Sequence, residues 1–417
     1  MPIGYLVTVA FVAWLTFFAV AGPRRPWPVG RMSFYFGLAV NELPFLAIYW
    51  LLAATVFTFV EGDVDPPGGY AVVALAGLVT TGLVVVAVRG ARAARTVRDA
   101  LVDGLGAGWR DTVGAPALRG LRRHRPIVRI LLAPFAVRRH DVQRIADLRY
   151  GDAGTRNLLD VYRHRSRPAD GPILIHLHRG GFVSGRKNRE ARALIYRLAS
   201  RGWLCVSANY RLRPEVGFPD HLVDAKKVIA WARAHAHEYG GDPDTIVVAG
   251  SSAGAHLAAT AALTPNDPAF QPGFADADTS VAAAVCLYGY YGPLAADQRL
   301  PSAPGAYVGP AAPPFFVAHG DRDTVVLVEG VREFVARLRD RSANPVVYAE
   351  LPGAQHAFDL FHSLRFDAVV DGVEAFTAWV LASRAGHRES THEGQGDRTG
   401  KVGPVARTGH TSRRKSS

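Results

Sequence analysis

The stretch Thr245-Ile246-Val247-Val248-Ala249-Gly250-Ser251-Ser252-Ala253-Gly254, followed by His256-Leu257-Ala258-Ala259, decides the fold. Apolar and β-branched residues run into a G-x-S-x-G turn, and helix-forming residues leave it. The pattern predicts a buried strand, a sharp turn and a helix. Glycines two residues either side of a serine allow such a turn and lift the hydroxyl clear of the sheet, at the positive end of a helix. Ser252 is therefore the candidate nucleophile. Plain turns share this form, so the reading rests on partners elsewhere in the chain.

A serine hydroxyl needs a histidine to take its proton and a carboxylate to hold that histidine in the useful tautomer. Pro313-Pro314-Phe315-Phe316-Val317-Ala318 reads as a strand ending in His319-Gly320-Asp321-Arg322-Asp323. Asp323 is the candidate acid, with Asp321 as its competitor after the same strand. Val346-Val347-Tyr348-Ala349-Glu350-Leu351 makes another strand, followed by Pro352-Gly353-Ala354-Gln355-His356. His356 is the candidate base, and His319 is read as stabilising its own turn. The order Ser252, Asp323, His356 is the serine, acid, histidine order of α/β-hydrolases.

Negative charge developing on a substrate oxygen needs backbone N–H groups aimed at it. The strand Ile173-Leu174-Ile175-His176-Leu177-His178 leads into Arg179-Gly180-Gly181-Phe182, where glycines let an oxygen approach the main chain. Gly180, Gly181 and the N–H of Ala253 are assigned as oxyanion donors, and His178 as a support of that loop. Asp220 and Asp224 are read as loop-holding hydrogen bonders.

These residues resemble the hormone-sensitive-lipase-like serine esterases, which carry H-G-G-[GA]-[FW] ahead of the nucleophile. Asn209-Tyr210-Arg211-Leu212, Phe218-Pro219-Asp220-His221, Glu238-Tyr239-Gly240-Gly241-Asp242-Pro243-Asp244 and Thr264-Pro265-Asn266-Asp267-Pro268 look like membrane-anchored bacterial carboxylesterases of the Lip type. Isoprenylcysteine methylesterases are similar at a greater distance. The resemblance covers roughly residues 144–385. It implies an α/β-hydrolase fold and hydrolysis of small-molecule or lipid esters through an acyl-enzyme, with no metal or organic cofactor.

Three positions depart from the pattern. Arg179 stands at the family's first glycine and presents a cation near the substrate or stiffens the loop. Ser251 stands where relatives often have Asp or Gly. The interval from Ser252 to Asp323 is shorter than in relatives, which removes part of the usual acyl-pocket wall. These departures motivate a second reading, a catalytically impaired scaffold at the membrane. A thioesterase or amidase would use the same machinery.

The chain has 417 residues, 49% of them hydrophobic, and a mean hydropathy of +0.06, high for a fully soluble protein. The excess lies at the front. Residues 3–21 form a charge-free apolar run, a second extends over 34–60 with Asn41, Glu42 and Pro44 inside it, and a third over 70–88. Three membrane helices are expected. Arg24, Arg25 and Arg31 follow the first run, Glu61, Asp63 and Asp65 the second, and Arg89, Arg92, Arg95 and Arg98 the third. Positive-inside counting then gives a multi-pass cell-membrane protein with its large domain in the cytoplasm. A cleaved signal peptide ending at Ala19-Val20-Ala21 is the rival for the first run, but no basic residue precedes it. Glu42 is a functional candidate if the second span includes it, or an interfacial residue if that span starts near Leu43.

The expected domains are therefore a transmembrane region over 1–88, a basic connector over 89–140, an α/β-hydrolase domain over 141–385 and a disordered basic tail over 386–417. The connector interleaves Arg119, Arg122, Arg123, Arg125, Arg129, Arg138 and Arg139 with Ile127, Val128, Ile130, Leu131, Leu132 and Phe135. It reads either as an amphipathic helix on an anionic leaflet or as a linker helix packed on the catalytic domain. The net charge of +12 concentrates beside the spans and in the tail, so a membrane surface explains it and nucleic-acid binding is not expected. Cys205 and Cys286 lie in separate apolar strands and read as buried thiols of a reducing compartment. In the hydrolase part, a hairpin around 144–162 precedes alternating helices and strands, the pattern of a mostly parallel sheet covered on both faces.

Overall fold

Runs of five residues such as Ile173–Leu177, interrupted only by His176, and Ile246–Gly250 lack polar alternation, which suits strands buried on both faces. In the computed structural model, which describes residues 3–64, 67–120, 127–166, 170–294 and 300–396, they form the centre of one eight-stranded sheet. The strands are β1 (Val142–Arg149), β2 (Leu158–His164), β3 (Gly171–Leu177), β4 (Leu204–Ala208), β5 (Gly241–Ser251), β6 (Ala283–Leu287), β7 (Phe315–Gly320) and β8 (Val346–Leu351). Their order is β1-β2-β4-β3-β5-β6-β7-β8. The β1–β2 hairpin is antiparallel and meets β4 antiparallel, and all later pairs are parallel.

Helices α8 (Arg192–Ser200), α9 (Asp220–His235), α10 (Ala253–Leu263) and α11 (Val328–Arg341) lie in the crossovers, and with α12 (Leu364–Gly396) after the last strand they cover both faces. One core forms beneath α9, α10 and α11, and the other beneath α8 and α12. Cys205 and Cys286 are buried, unpaired thiols on β4 and β6. Helix α12 runs to Gly396, past the point where the composition turns polar, so residues 386–396 are helical where the sequence suggested disorder. Residues 397–417 lie outside the described residues.

The N-terminal region has four helices: α1 (Ile3–Ala21), α2 (Trp27–Glu42), α3 (Pro44–Val60) and α4 (Gly68–Leu105). Helices α1 and α4 are long and apolar enough to cross a membrane, and α2 with α3 make up a third candidate bent by 81°. The apolar run 34–60 is thus no single straight helix. Pro44 disfavours helical backbone in the residue before it, and Leu43 sits at φ −127°, ψ 51°. Helix α4 does not stop at Arg89. At ~1.5 Å per residue its 38 residues extend ~57 Å, and its second half joins the catalytic core through Ala93, Val97, Ala100 and Leu101. Gly104 lets it approach β8, because a Cβ there would stand 2.8 Å from the Val346 carbonyl oxygen.

Among the described residues, the connector's helical part ends at Leu132. Short helices α5 (Trp109–Val113), α6 (Ala115–Gly120) and α7 (Ile127–Leu132) carry its described part, and α7 stops ahead of Pro134. Arg122, Arg123 and Arg125 lie outside the described residues. Ile130 is buried beside Leu43 and Phe45 at the start of α3.

Glu42 closes the contact between the two regions. It is buried, pairs with the fully buried Arg365, and accepts a 2.7 Å hydrogen bond from Ser363. Arg365 also donates to the Asn41 carbonyl at 3.1 Å. Removing one member of such a pair strands a charge and costs about 3–5 kcal/mol, whereas an apolar pair of similar volume is often neutral. Glu42→Ala is expected to lower the melting temperature of the detergent-solubilised chain strongly, and Glu42→Leu with Arg365→Met to restore most of the loss. A Glu42→Ala protein that melts like the wild type would show that the pair contributes no stability.

Candidate active site

Strand β5 delivers Ser252 into a conformation that L-residues rarely hold, φ 54° and ψ −114°. Its neighbours permit it. A Cβ on Gly250 would lie 2.1 Å from the Gly254 carbonyl oxygen, and one on Gly254 would lie 2.0 Å from the Leu177 carbonyl oxygen. Both positions therefore require glycine, and the second brings the start of α10 against the end of β3. The Ser252 amide donates to Leu287 at 2.9 Å, tying the turn to β6.

Ser252 Oγ lies 2.9 Å from His356 Nε2, and His356 Nδ1 lies 2.7 Å from Asp323 Oδ2. Asp323 Oδ1 accepts the amides of Val325 and Val326 at 2.8 Å each. Burial pushes the Asp323 carboxyl up, but His356, the hydrogen bond to it and His319 outweigh burial and hold the group below the ordinary range. Its folded value therefore lies below its unfolded one. The stability from ionised Asp323 is full above the unfolded carboxyl range and disappears as pH falls through the folded value. Asp321 is turned elsewhere and accepts the Gly353 amide at 2.7 Å. His319 Nε2 donates to the Val326 carbonyl at 2.9 Å, within the same turn.

Gly180, Gly181 and Ala253 line the pocket that contains Ser252 and His356. Gly180 and Gly181 have φ of 130° and 60°. Among the described residues, the amides of Gly180, Gly181 and Ala253 donate no hydrogen bond, which leaves them open to an incoming oxygen. His178 braces the loop: Nδ1 donates to the Arg179 carbonyl at 2.8 Å, and its ring stacks on Tyr210 at 4.2 Å. Tyr210 in turn donates to the His178 carbonyl at 2.8 Å. Burial lowers the His178 pKa to about 4, so it stays neutral.

Several parts of the site have no motif of their own. Ser251 donates to buried Asp359 at 2.5 Å and lies 3.1 Å from His176 Nε2, while Tyr288 donates to the other Asp359 oxygen. Burial raises the Asp359 pKa and lowers that of His176 to about 3. The network lies beneath His356, whose ring meets Tyr288 edge-on at 4.7 Å. Arg179 bonds through Nε to Glu190 Oε1 at 3.1 Å. Gln355 accepts the amides of Thr324 and His356 at 2.8 and 2.9 Å, joining the acid and base loops.

The pocket encloses about 500 Å³ and includes Phe34 of α2, whose ring lies 5.9 Å from that of His356. Tyr290, Pro293 and Leu294 form another part of its wall, in the shortened interval. Larger cavities, about 630 and 750 Å³, lie at α4–α12 and α7–α8 and contain none of these groups. The chemistry gathers in the smaller pocket.

The BD-FAE family model matches residues 159–299. The probable carboxylic ester hydrolase LipM of Mycobacterium tuberculosis is 37% identical over 423 residues, spanning 92% of this chain and 94% of LipM. Esterase LipQ of the same organism is 40% identical and spans 72% of this chain and 78% of LipQ. The chain belongs to the Lip-type carboxylic ester hydrolases. Thermogutta terrifontis esterase 2 superposes with a TM-score of 0.50 at 24% identity, over 57% of this chain and 94% of that one, and supports the fold. As a Lip-type hydrolase the chain is an enzyme of carboxylic esters, preceded by apolar helices able to cross a membrane.

In this Lip-type chain, Asp323→Asn removes the carboxylate bonded to His356 Nδ1; if that carboxylate selects the imidazole tautomer, kcat is expected to fall by ~10⁴-fold. Stopped-time assays with a chromogenic ester measure it. A loss below tenfold would move the acid role away from Asp323.

Proposed function

We propose that this chain is a membrane-tethered serine esterase in which Ser252, His356 and Asp323 form the catalytic triad and the amides of Gly180, Gly181 and Ala253 the oxyanion hole. The continuous line from Asp323 Oδ2 through both nitrogens of His356 to Ser252 Oγ, with links of 2.7 and 2.9 Å, carries the reading. His356 takes the hydroxyl proton as Ser252 Oγ attacks the ester carbonyl, and the three amides hold the resulting oxyanion. The tetrahedral intermediate collapses, and the alcohol leaves with the proton from His356. Water, deprotonated by His356, then attacks the acyl-enzyme, and the carboxylic acid departs as Ser252 regains its proton. Every step uses side-chain and main-chain groups of the chain itself.

Residues 1–88 serve as the membrane region in this reading, residues 89–140 join it to the hydrolase, and the hydrolase over 141–385 faces the cytoplasm. Arg24 and Arg25 follow α1 and Arg89 to Arg98 follow the apolar half of α4, whereas Glu61 and Asp63 follow α3. Helix α3, at 17 residues, is at the lower limit for a span. Helix α2 then lies along the interface, with Trp27, Tyr35 and Phe36 exposed. The contact network supports a tether docked at the mouth. Arg322 donates to the Val20 and Ala21 carbonyls at 2.7 and 2.9 Å, and Thr324 donates to the Gly30 carbonyl at 2.8 Å.

Ser252→Ala is expected to lower turnover of 4-nitrophenyl esters by at least ~10⁴-fold while leaving the melting temperature near that of wild type, and to abolish fluorophosphonate labelling. Undiminished turnover in that variant would remove Ser252 from the mechanism. For orientation, added protease should digest the hydrolase domain in inside-out vesicles and spare it in intact spheroplasts; the reverse pattern would place the domain outside.

A further inference from the structure

The catalytic pocket carries two guanidinium groups, Arg179 and Arg213, and, among the described residues, no acidic side chain in its lining. Arg179 stands at the first position of the loop, where the H-G-G-[GA]-[FW] motif that the loop resembles has a glycine and so no side chain. Its Nε is held by Glu190, whose side chain is 1% exposed against 21% for Arg179. The terminal nitrogens of Arg179 make no hydrogen bond among the described residues, so the contact fixes the guanidinium by one edge and leaves the other free. Burial pushes the Glu190 carboxyl up to about 7, so it is an incomplete counter-charge near neutrality.

Arg213 is less neutralised still. Its main-chain amide donates to the Phe182 carbonyl at 2.7 Å, which seats the residue beside the oxyanion loop. Its side chain makes one long contact, 3.4 Å to the Leu294 carbonyl, and among the described residues no carboxylate lies within ion-pair distance. Beyond the rim, a neighbouring cavity shares Ser184 with the pocket and is lined by Arg156, Arg186 and Arg189, again without an acidic residue among the described residues. A cleft lined by one sign of charge concentrates ligands of the other sign, and low-dielectric walls such as Phe34, Phe182 and Val325 sharpen the effect. A planar guanidinium with free edges matches a carboxylate or a phosphate.

We propose that the ester cleaved at Ser252 carries an anionic oxygen group, a carboxylate or a phosphate, which Arg179 and Arg213 hold while the carbonyl lies in the oxyanion hole. This rests on the serine-esterase reading above and names its substrate class. Arg179 and Arg213 are specificity residues in this scheme: they fix the charged end of the substrate, and Ser252, His356 and Asp323 carry out the bond changes.

The test uses the full chain in a neutral detergent at low ionic strength, so that no anionic lipid contributes. Two matched pairs place the charge on either side of the ester: mono-4-nitrophenyl adipate against 4-nitrophenyl hexanoate, and 4-acetoxybenzoate against phenyl acetate. In at least one pair, kcat/KM for the anionic member is expected to exceed that for the neutral one, with the preference falling as salt is added. Arg213→Gln and Arg179→Gln are each expected to lower the anionic-to-neutral ratio by on the order of ten- to a hundredfold, mostly through KM, with Arg213→Lys retaining part of it. Ser252-dependent turnover of the neutral esters with no anionic preference in either pair would overturn the proposal and leave the esterase intact. A preference that survives both glutamine variants would also overturn it. Absence of turnover and of fluorophosphonate labelling in the wild type would instead reject the serine-esterase reading itself.

Discussion

The close approach of α10 to β3 is the constraint on which the site depends. Only a glycine at position 254 lets the first turn of the helix lie against the Leu177 carbonyl, and only a glycine at 250 admits the reversal that follows β5. With both in place, the end of β3 and the start of α10 are fixed relative to each other by main chain alone. The Gly180–Gly181 amides continue from β3 and the Ala253 amide opens α10, so unpaired amides from two segments about seventy residues apart in sequence line one pocket. The strain at Ser252 is the local cost of that arrangement. It is held by the Ser252–Leu287 hydrogen bond and by a sheet whose central strands are buried on both faces.

The N-terminal helices act on the other half of the site. The loops after β7 and β8 carry Asp323 and His356, and neither loop stands alone. Gln355 joins them to each other, Arg322 holds the end of α1, Thr324 holds α2, and Arg365 with Ser363 holds Glu42. Hydrogen bonds that cross between the regions are therefore concentrated around the acid and base loops. This differs from a tether that merely restrains diffusion: motion of α2 against the domain would disturb the loops that orient His356. Phe34 adds an apolar wall from the same helix, so a segment some two hundred residues ahead of Ser252 in sequence contributes to the shape of its pocket.

How far the sequence discloses this depends on the range of the interactions. Ser252, Asp323 and His356 each follow an apolar run short enough to be a strand, and local composition is sufficient to rank them. The sheet is legible for the same reason. The bend at Leu43 had a local sign in Pro44, but the apolar run across it concealed the helix boundary. The role of Glu42 had no local sign at all: its partner Arg365 lies 323 positions away and sits in an ordinary helical sequence. The second half of α4 read as a connector because its arginines dominate the composition, whereas its small and branched residues at Ala93, Val97 and Ala100 make up a face that packs. In the connector, the alternation of arginine and apolar residues suggested one amphipathic helix, and Pro134 ended it.

Position 179 illustrates how a local rule can fail for a physical reason that lies elsewhere. By sequence alone, a long cation in a glycine loop looks like damage to the oxyanion hole. The fold supplies Glu190 from the turn before α8, buried behind the loop, and that carboxylate draws the Arg179 side chain by its Nε. The backbone of Gly180 and Gly181 keeps its positive φ angles, since these two glycines and not residue 179 occupy the left-handed region. What Arg179 adds is a cation at the pocket wall, while the Gly180 and Gly181 amides stay open. Because Glu190 is itself deeply buried, with one oxygen lacking any partner among the described residues, the pair is not a closed ion pair with its charges fully cancelled. A guanidinium held at one edge and open at the other retains the geometry to bind an oxyanion, and that distinguishes it from a side chain that merely fills space.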